Sequence, residues 1–269
     1  MNKYFYLIFF PIALIAQTAT APSSGDGSSG DPYQIDTLNN LYWITQNSGE
    51  WDKYYIQTSN IDASSSSAWD DGQGFTPLGN NSTRFSGSYN GDGHTISNLF
   101  IDRPNTNYIG MFGYIGVDSN STTTIQNLGL TNVSITGLGN VGALVGNKQD
   151  GNLTVNNCYI SGGVTGTNNV GGLVGYINME SAVSNCYSTG SVTGSSNIVG
   201  GLAGYLRNQS NVVNSYSTGS VNGNNFVGGL VGFLNNSSVS NSFWDTQTSG
   251  TSTGIGAGNS TGATGKTTA

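Results

Sequence analysis

One six-residue phrase recurs four times along the chain at a nearly constant spacing. Its copies are Val141–Gly146, Val170–Gly175, Val199–Gly204 and Val227–Gly232, at offsets of 29, 29 and 28 residues. A second phrase, Asn-Cys-Tyr or a close variant, recurs at nearly the same spacing and begins at Asn157, Asn185, Asn214 and Asn241. A fixed period of this length is typical of a solenoid, in which each unit buries its apolar face only against its neighbours.

Composition excludes a helical solenoid and favours a β-helix. Glycine makes up 41 of the 269 residues and charged residues only 8%, whereas paired-helix repeats need Leu, Ala, Glu and Lys. Each unit contains three short β-prone runs separated by turn residues, such as Val170–Ile177, Ala182–Tyr187 and Ser191–Thr193. Because parallel crossover connections are almost always right-handed, we predict an all-β, right-handed parallel β-helix.

Equivalent residues of successive coils should stack into columns about 4.8 Å apart. Two apolar columns are predicted to form the core: Phe112, Leu144, Leu173, Leu202, Leu230 and Ile109, Val141, Val170, Val199, Val227. A polar column contains Asn127, Asn157, Asn185, Asn214 and Asn241. Since Asn tolerates left-handed turns and its amides can bond between coils, we interpret this column as a turn ladder, with a ligand-binding amide row as the alternative.

The repeat phrases also resemble a known family. Val-Gly-Gly-Leu-Val-Gly followed by Asn-Cys-Tyr-Ser-Thr-Gly-Ser-Val-Thr-Gly is similar to the GLUG motif of secreted bacterial proteins, which include haemagglutinin-like adhesins and some IgA-cleaving peptidases. The resemblance covers residues 109–250, and the preceding segment Phe85–Ile96 is similar to the usual leader of such proteins. It implies a β-helix with an adhesive or scaffolding role and carries no catalytic residues, because the peptidase chemistry belongs to a separate domain.

The N-terminus has the pattern of a secretory signal peptide. A short basic start precedes the apolar run Tyr4–Ala16 and the small-residue cleavage site Ala19-Thr-Ala21, so we assign residues 1–21 to the signal, with an uncleaved anchor as the alternative. The apolar run is too short to span a membrane, and no other stretch is apolar enough. We expect a secreted or cell-surface protein whose residues 22–32 form a flexible Ser/Gly-rich leader.

Residues 33–108 are expected to form the N-terminal cap and the first irregular coils. Thr37 can cap a helix over Thr37–Thr45 that covers the open end of the core. Five aromatic residues are expected to pack there, with a sugar-binding face as the alternative: Tyr42, Trp43, Trp51, Tyr54 and Tyr55. Residues 251–269 read as a Gly/Ser/Thr-rich tail of a truncated chain, and an uncapped strand edge there would invite end-to-end self-association.

The sequence contains little that points to catalysis. A net charge of −7 with seven basic residues excludes a nucleic-acid-binding patch. The single histidine, His94, is interpreted as a turn residue and not as part of a catalytic triad. The coils contain the scattered carboxylates Asp118, Asp150, Glu180 and Asp245, which we interpret as solvated turns, with a weak Ca²⁺ site as the alternative. We predict no enzyme activity, metal or cofactor.

Two further columns are candidates for specific roles. Tyr159, Tyr187, Tyr216 and Phe243 form an aromatic column that either packs on the solenoid or presents a carbohydrate-stacking ladder. Cys158 and Cys186 occupy the same position in adjacent coils. Their expected separation of about 5 Å would accept a disulfide, but parallel neighbouring side chains fit its dihedral poorly, so we expect buried thiols.

The leading hypothesis is a non-enzymatic adhesion or scaffold rod of a larger surface protein. Its partners would be host or matrix glycans or other surface proteins. The alternative is a β-helix that binds or degrades polysaccharide. The low density of carboxylates on the coils favours the first hypothesis.

Overall fold

The computed structural model describes residues 17–116 and 122–268, so most of the predicted signal peptide and Asp118 lie outside the described residues. The described chain forms a parallel β-solenoid with one α-helix, as predicted. Residues one coil apart pair side by side; Val155 pairs with Val183, and Tyr176 with Tyr205. The glycine-rich turns let the chain close each coil within the repeat length, and the apolar side chains between them fill the interior.

Four parallel sheets make up the faces of the solenoid. Sheet A contains Tyr33–Ile35, Tyr54–Gln57, Ser88–Asn90, Thr122–Gln126, Asn152–Asn156, Ala182–Ser184, Asn211–Val213 and Ser238–Ser240. Sheet B contains Ile61–Asp62, Thr95–Ser97, Phe100–Asp102, Gly129–Thr136, Tyr159–Gly166, Tyr187–Ser188, Ser191–Gly194, Tyr216–Ser217, Val221–Asn222, Ser242–Asp245 and Ala263–Lys266. Sheet C contains Phe112–Ile115, Val145–Lys148, Val174–Asn178, Ala203–Arg207, Val231–Asn235 and Ile255–Ala257. Sheet D contains Gly139–Val141, Asn168–Gly171, Asn197–Gly200 and Asn225–Gly228.

The predicted valine column is confirmed bridge by bridge. Ile109 pairs with Val141, and the pairing continues through Val170 and Val199 to Val227. The four leucines of the second column, Leu144, Leu173, Leu202 and Leu230, have no exposed surface. Both columns therefore lie in the core, where their burial supplies the apolar contacts that a single coil lacks.

One position of the leucine column was assigned to the wrong register. Phe112 pairs with Val145, not with Leu144, and joins the column that continues through Val174. The segment Ile109–Gly113 is one residue shorter than the later copies, so the residues after Ile109 advance by one position relative to the next coil. Between the Ile109–Val141 and Phe112–Val145 pairs, the Met111 backbone N–H donates to the Ala143 carbonyl at 2.9 Å, and Met111 is also buried.

The predicted capping helix spans Leu38–Gln46 and begins after Thr37. Thr37 and Asn40 form a reciprocal capping box, in which the Asn40 N–H donates to Thr37 Oγ1 at 3.3 Å and the Thr37 N–H donates to Asn40 Oδ1 at 3.0 Å. These bonds satisfy donors that the first helical turn leaves without partners. Three short 3₁₀ turns follow at Ser48–Glu50, Ser64–Ala68 and Asp70–Gly72.

The aromatic cluster of the cap packs mostly inward. Trp51 is 4% exposed, and its indole N–H donates to the Ile44 carbonyl at 2.8 Å. Tyr42 contacts Trp69, with 5.1 Å between ring centroids. Tyr54 differs from the rest and is exposed. The packing role predicted for this cluster is therefore confirmed for Trp51, while Tyr54 faces solvent.

Both chain ends differ from the expected domain limits. The segment predicted as a flexible leader is bonded to the cap, since the Gln34 N–H donates to the Ser24 carbonyl at 3.0 Å. At the other end, Ile255–Ala257 and Ala263–Lys266 of the predicted tail pair with the preceding coil. Composition could not reveal either feature, because backbone bonds to neighbouring strands hold these Gly/Ser/Thr-rich segments.

Candidate functional site

The asparagine column forms the predicted turn ladder. All five residues have left-handed backbones, with φ between 47° and 55°. Their side chains bond between coils; Asn157 Nδ2 donates to Asn127 Oδ1 at 2.9 Å, and Asn214 Nδ2 donates to Asn185 Oδ1 at 3.4 Å. Several of these side-chain amides thus already donate or accept hydrogen bonds within the ladder. This favours the structural interpretation over a ligand-binding row.

The outer aromatic column lies on sheet B, where its rings stack along the solenoid axis. The Tyr159 and Tyr187 ring centroids are 4.8 Å apart with 4° between the planes, and those of Tyr187 and Tyr216 are 4.9 Å apart with 3°. Tyr216 pairs with Phe243 in the next coil. Partial burial, with a smaller contribution from the adjacent phenols, raises the pKa of Tyr187. Tyr187 is therefore uncharged at neutral pH.

The faces of these rings are largely covered. Tyr187 lies between two parallel rings. At the lower end the Tyr159 ring covers Gly129, and at the upper end the Lys266 ammonium lies 5.4 Å from the Phe243 ring centroid. A sugar that stacks on an aromatic residue needs an open ring face, and neighbouring groups occupy the faces of Tyr159 and Tyr187. Tyr216 and Phe243 are more open, at 40% and 39% exposed. The arrangement favours the packing role, and the carbohydrate-stacking ladder stays a prediction.

A second ladder runs along the start of sheet B, at or immediately before the first residues of its strands, and contains the two cysteines. The Cys158 N–H donates to Cys186 Sγ at 3.4 Å, the Cys186 N–H donates to Ser215 Oγ at 3.1 Å, and the Ser215 N–H donates to Ser242 Oγ at 3.1 Å. Each of these side chains accepts a backbone N–H from the preceding coil. The cysteines are buried and unbridged in this structure, and burial raises the pKa of the Cys158 thiol. Their oxidation state in solution stays a prediction.

The predicted acidic residues are scattered and mostly engaged in local bonds. Asp150 forms an ion pair with Arg84, and Asp245 accepts the backbone N–H of Gln247 at 2.8 Å. His94 lies in a turn, where its backbone N–H donates to the Gly91 carbonyl at 2.8 Å. Within residues 17–116 and 122–268, no group of three or more His, Cys, Asp or Glu side chains could hold a metal.

A buried lysine is a feature that the sequence patterns did not reveal. Lys148 has no exposed surface, and its paired neighbours in sheet C are Ile115 and Ile177. Its ammonium donates to the backbone carbonyl of Met179 at 2.6 Å and also to those of Gly151 and Asn178. Burial lowers its pKa to about 8, an effect that the charges of Asp150 and Glu180 partly oppose.

The structure also contains a cleft that no repeat motif indicated. It has a volume of about 620 Å³ and lies between the loop of residues 76–83 and the loop of residues 103–109, beside Ser48. Each loop is tied to the next coil; the Tyr114 N–H donates to the Gly79 carbonyl at 3.1 Å, and the Leu138 N–H donates to the Thr106 carbonyl at 2.8 Å. Asn80 Oδ1 accepts the Ser82 and Thr83 N–H groups, both at 2.9 Å.

Tyr108 and Arg103 stand out in this cleft. Tyr108 has a left-handed backbone with φ 64°, and its ring lies 4.9 Å from that of Tyr114. A bulky residue with positive φ is uncommon and strained. The Arg103 guanidinium donates to Asp70 Oδ2 at 2.7 Å, but its buried Nε–H has no partner within the described part of the chain. Tyr108 immediately precedes the shortened repeat copy Ile109–Gly113, and Arg103 lies before the repeats begin.

The fold and its stacked ladders define a β-solenoid repeat module. Residues 166–193 and 195–222 match the family model described as "The GLUG motif", so the chain contains GLUG-motif repeats, as the resemblance implied. The chain is 39% identical over 135 residues to Halomucin of Haloquadratum walsbyi, covering 48% of this chain and 1% of that protein. It is 36% identical over 158 residues to a "Putative Gly-rich membrane protein" of Evansella cellulosilytica, covering 55% of this chain and 17% of that protein.

A solved structure shares the fold. It is titled as a "putative immunoglobulin A1 protease" from Bacteroides ovatus and superposes with a TM-score of 0.65 at 24% identity, covering 82% of this chain and 68% of that chain. At this identity the likeness concerns the fold alone. The two sequence relatives are far longer than the matched region, so the match describes a module that recurs within larger proteins. Among the described residues, no helix has the length and apolar character to cross a membrane.

Proposed function

We propose that this chain is a non-enzymatic module of a secreted or cell-surface protein that acts as a rigid spacer and adhesion scaffold. The observation that carries the proposal is the uninterrupted stacking of coils, with polar and aromatic ladders that bond each coil to the next. Such a one-dimensional array holds its outer face at a fixed geometry over its whole length. The names of the two relatives, a mucin and a membrane protein, support a surface location.

Among the described residues, the contacts of two of the acidic side chains predicted in the coils support a role without turnover. Glycoside hydrolysis requires two carboxyl groups that face the scissile bond. Asp150 instead pairs with Arg84, and Asp245 caps a turn. The competing function, polysaccharide cleavage, therefore has no supporting constellation among the described residues, whereas polysaccharide binding needs only polar and aromatic groups.

Adhesion is tested with beads that carry the purified chain. We expect retention under flow on surfaces coated with mucin or with bacterial polysaccharide, and no more than background retention for beads that carry albumin. Retention equal to the albumin control on every surface would contradict the adhesive role.

The absence of turnover is tested separately by assaying reducing ends released from plant, algal and bacterial polysaccharides. We expect no release above a heat-denatured control. Release that disappears in Asp150→Asn would overturn the non-enzymatic assignment.

A further inference from the structure

We propose that the cleft between the loops of residues 76–83 and 103–109 is a binding site for a neutral oligosaccharide, the terminal part of a glycan. This inference rests on the proposed adhesive function and assigns it to a defined place near the N-terminal end of the solenoid. The cleft volume of about 620 Å³ lies within the range of about 300–1,000 Å³ that small-molecule sites occupy.

The lining matches the hydrogen-bonding character of sugar hydroxyls. Side-chain amides come from both walls, with Asn80 and Asn81 on one loop and Asn105 and Asn107 on the other. Hydroxyls come from Thr76, Ser82, Thr83 and Thr106. An amide side chain has both a donor and an acceptor, although Asn80 Oδ1 is already occupied by the Ser82 and Thr83 N–H groups. Each sugar hydroxyl can also donate and accept, so neighbouring hydroxyls of a sugar ring can be paired without any net charge.

Arg103 favours a neutral ligand over an anion. Its charge is already balanced by Asp70, which accepts from Nη2 at 2.7 Å. The guanidinium also donates to Gln73 Oε1 at 3.2 Å and to the Gly74 carbonyl and Thr76 Oγ1, both at 3.3 Å. Its Nε–H is buried, so a ligand in the cleft does not reach it. Because the cation is already paired with Asp70 and bonded to neighbouring oxygens, an anion gains little here, and a neutral ligand suits the cleft better.

Tyr108 supplies the aromatic component of the site. Within its column the next two residues toward the C-terminus are Asn140 and Asn169, which both have left-handed backbones. Asn169 Nδ2 donates a hydrogen bond to Asn140 Oδ1 at 2.6 Å. Tyr108 adopts this left-handed backbone despite the strain, its ring packs beside Tyr114 with 4.9 Å between centroids, and the residue lines the cleft. The apolar face of a sugar ring packs well against an aromatic residue.

The walls are held in place before any ligand arrives. The Tyr108 N–H donates to the Gly139 carbonyl at 2.8 Å, and the Asn80 side chain closes its own loop with two bonds. Preorganised walls reduce the entropy lost on binding. The lining contains neither Asp nor Glu, so the site lacks the carboxylate pair of a glycosidase and binds without cleaving.

The test uses the full chain on an array of glucose-, galactose-, mannose-, N-acetylglucosamine- and sialic-acid-terminated oligosaccharides, followed by calorimetry with the best neutral probe. Tyr108→Asn installs the residue that the column contains elsewhere and should weaken binding at least tenfold without unfolding the chain. The matched control is Phe226→Asn, because Phe226 is also a left-handed, exposed aromatic residue of the same column. It lies four coil steps, or about 19 Å, away, so binding should be unchanged.

Three results would overturn the site. They are no binding to any neutral probe, binding restricted to sialylated probes, or a neutral-probe affinity that Tyr108→Asn leaves intact. Asn105→Ala, an exposed position on the second loop, provides a further variant and should weaken binding without affecting thermal stability. Bead adhesion that persists in Tyr108→Asn would leave the adhesive function standing while the cleft inference fails, whereas wild-type beads that do not adhere would remove the proposed function itself.

Discussion

Individual residues of this solenoid carry strain where a side chain does not suit its turn. The column that contains Asn140 and Asn169 continues through Ile198, with φ 51°, and Phe226, with φ 48°. A left-handed backbone costs an ordinary L-residue roughly 1–2 kcal/mol, and Asn tolerates it better through local hydrogen bonding. With Tyr108, the column thus contains three residues whose backbone conformation opposes their side-chain type.

We expect Ile198→Asn to raise the free energy of unfolding by about 1 kcal/mol, because it relieves this strain and extends the amide ladder from Asn169. Thermal and urea denaturation measure the effect. Ile198→Val is the control, since it keeps the branched side chain and should bring no gain. A lower midpoint for Ile198→Asn would show that the side-chain contacts of Ile198 outweigh the backbone strain.

Lys148 makes the free energy of unfolding of the chain depend on pH in the alkaline range. Its pKa is about 8 in the folded chain, against an ordinary value of 10.5. Between these values the unfolded chain binds the proton and the folded chain does not, so the folded state gains stability as pH rises through this window. We therefore expect wild type to gain stability relative to Lys148→Ile between pH 7 and pH 9.5. Most of the gain should come above pH 8, where the folded chain has lost the proton and the unfolded chain still holds it.

Chemical denaturation at several pH values measures this difference, and tyrosine ionisation affects both proteins alike. Ile is the matched replacement because Ile115 and Ile177 are the paired neighbours of Lys148. Parallel stability profiles for the two proteins would contradict the prediction, whichever protein is more stable at pH 7.

Between elements, side-chain ladders supply bonds that the strands alone do not. The Cys158 N–H is buried and has Cys186 Sγ as its acceptor, and Ser215 and Ser242 repeat the arrangement in later coils. Cys186→Ala should lower the free energy of unfolding by about 1–3 kcal/mol, because it leaves a buried donor without a partner. Cys186→Ser should have little effect, since it reproduces the arrangement at Ser215.

Thermal denaturation under reducing conditions compares these two variants with wild type, so that thiol oxidation plays no part. An equal loss in Cys186→Ser and Cys186→Ala would mean that the volume of the sulfur atom, and not the hydrogen bond, determines the stability at this position.

The whole molecule behaves as a one-dimensional stack in which one coil can replace another. Val170 pairs with Val199, so removal of residues 170–198 joins Asn169 to Val199 and preserves the column register. We expect this 29-residue deletion to fold into a shorter solenoid with the same β-sheet circular dichroism and a lower melting temperature. Removal of residues 170–184 is the control, because it breaks the register and should give an unfolded or aggregated chain. Equal loss of structure in both deletions would contradict a modular stack.

The sequence by itself determined the repeat architecture, because a constant step places like residues in register wherever the period holds. The valine column, the asparagine turns and the capping helix after Thr37 all followed from local rules of periodicity and capping. The same reasoning placed Tyr159, Tyr187 and Tyr216 in one column.

Only the tertiary structure decided what the period does not encode. The shortened copy moved Phe112 by one position, and backbone pairing placed Ile255–Ala257 and Ala263–Lys266 in the sheets. The nearly parallel stacking of the tyrosine rings became visible only in three dimensions. The cleft is built from two non-repeating loops, and its Arg103 and Tyr108 come together with residues of the other loop only when the coil closes. Such contacts join residues far apart in the chain, and no local pattern specifies them.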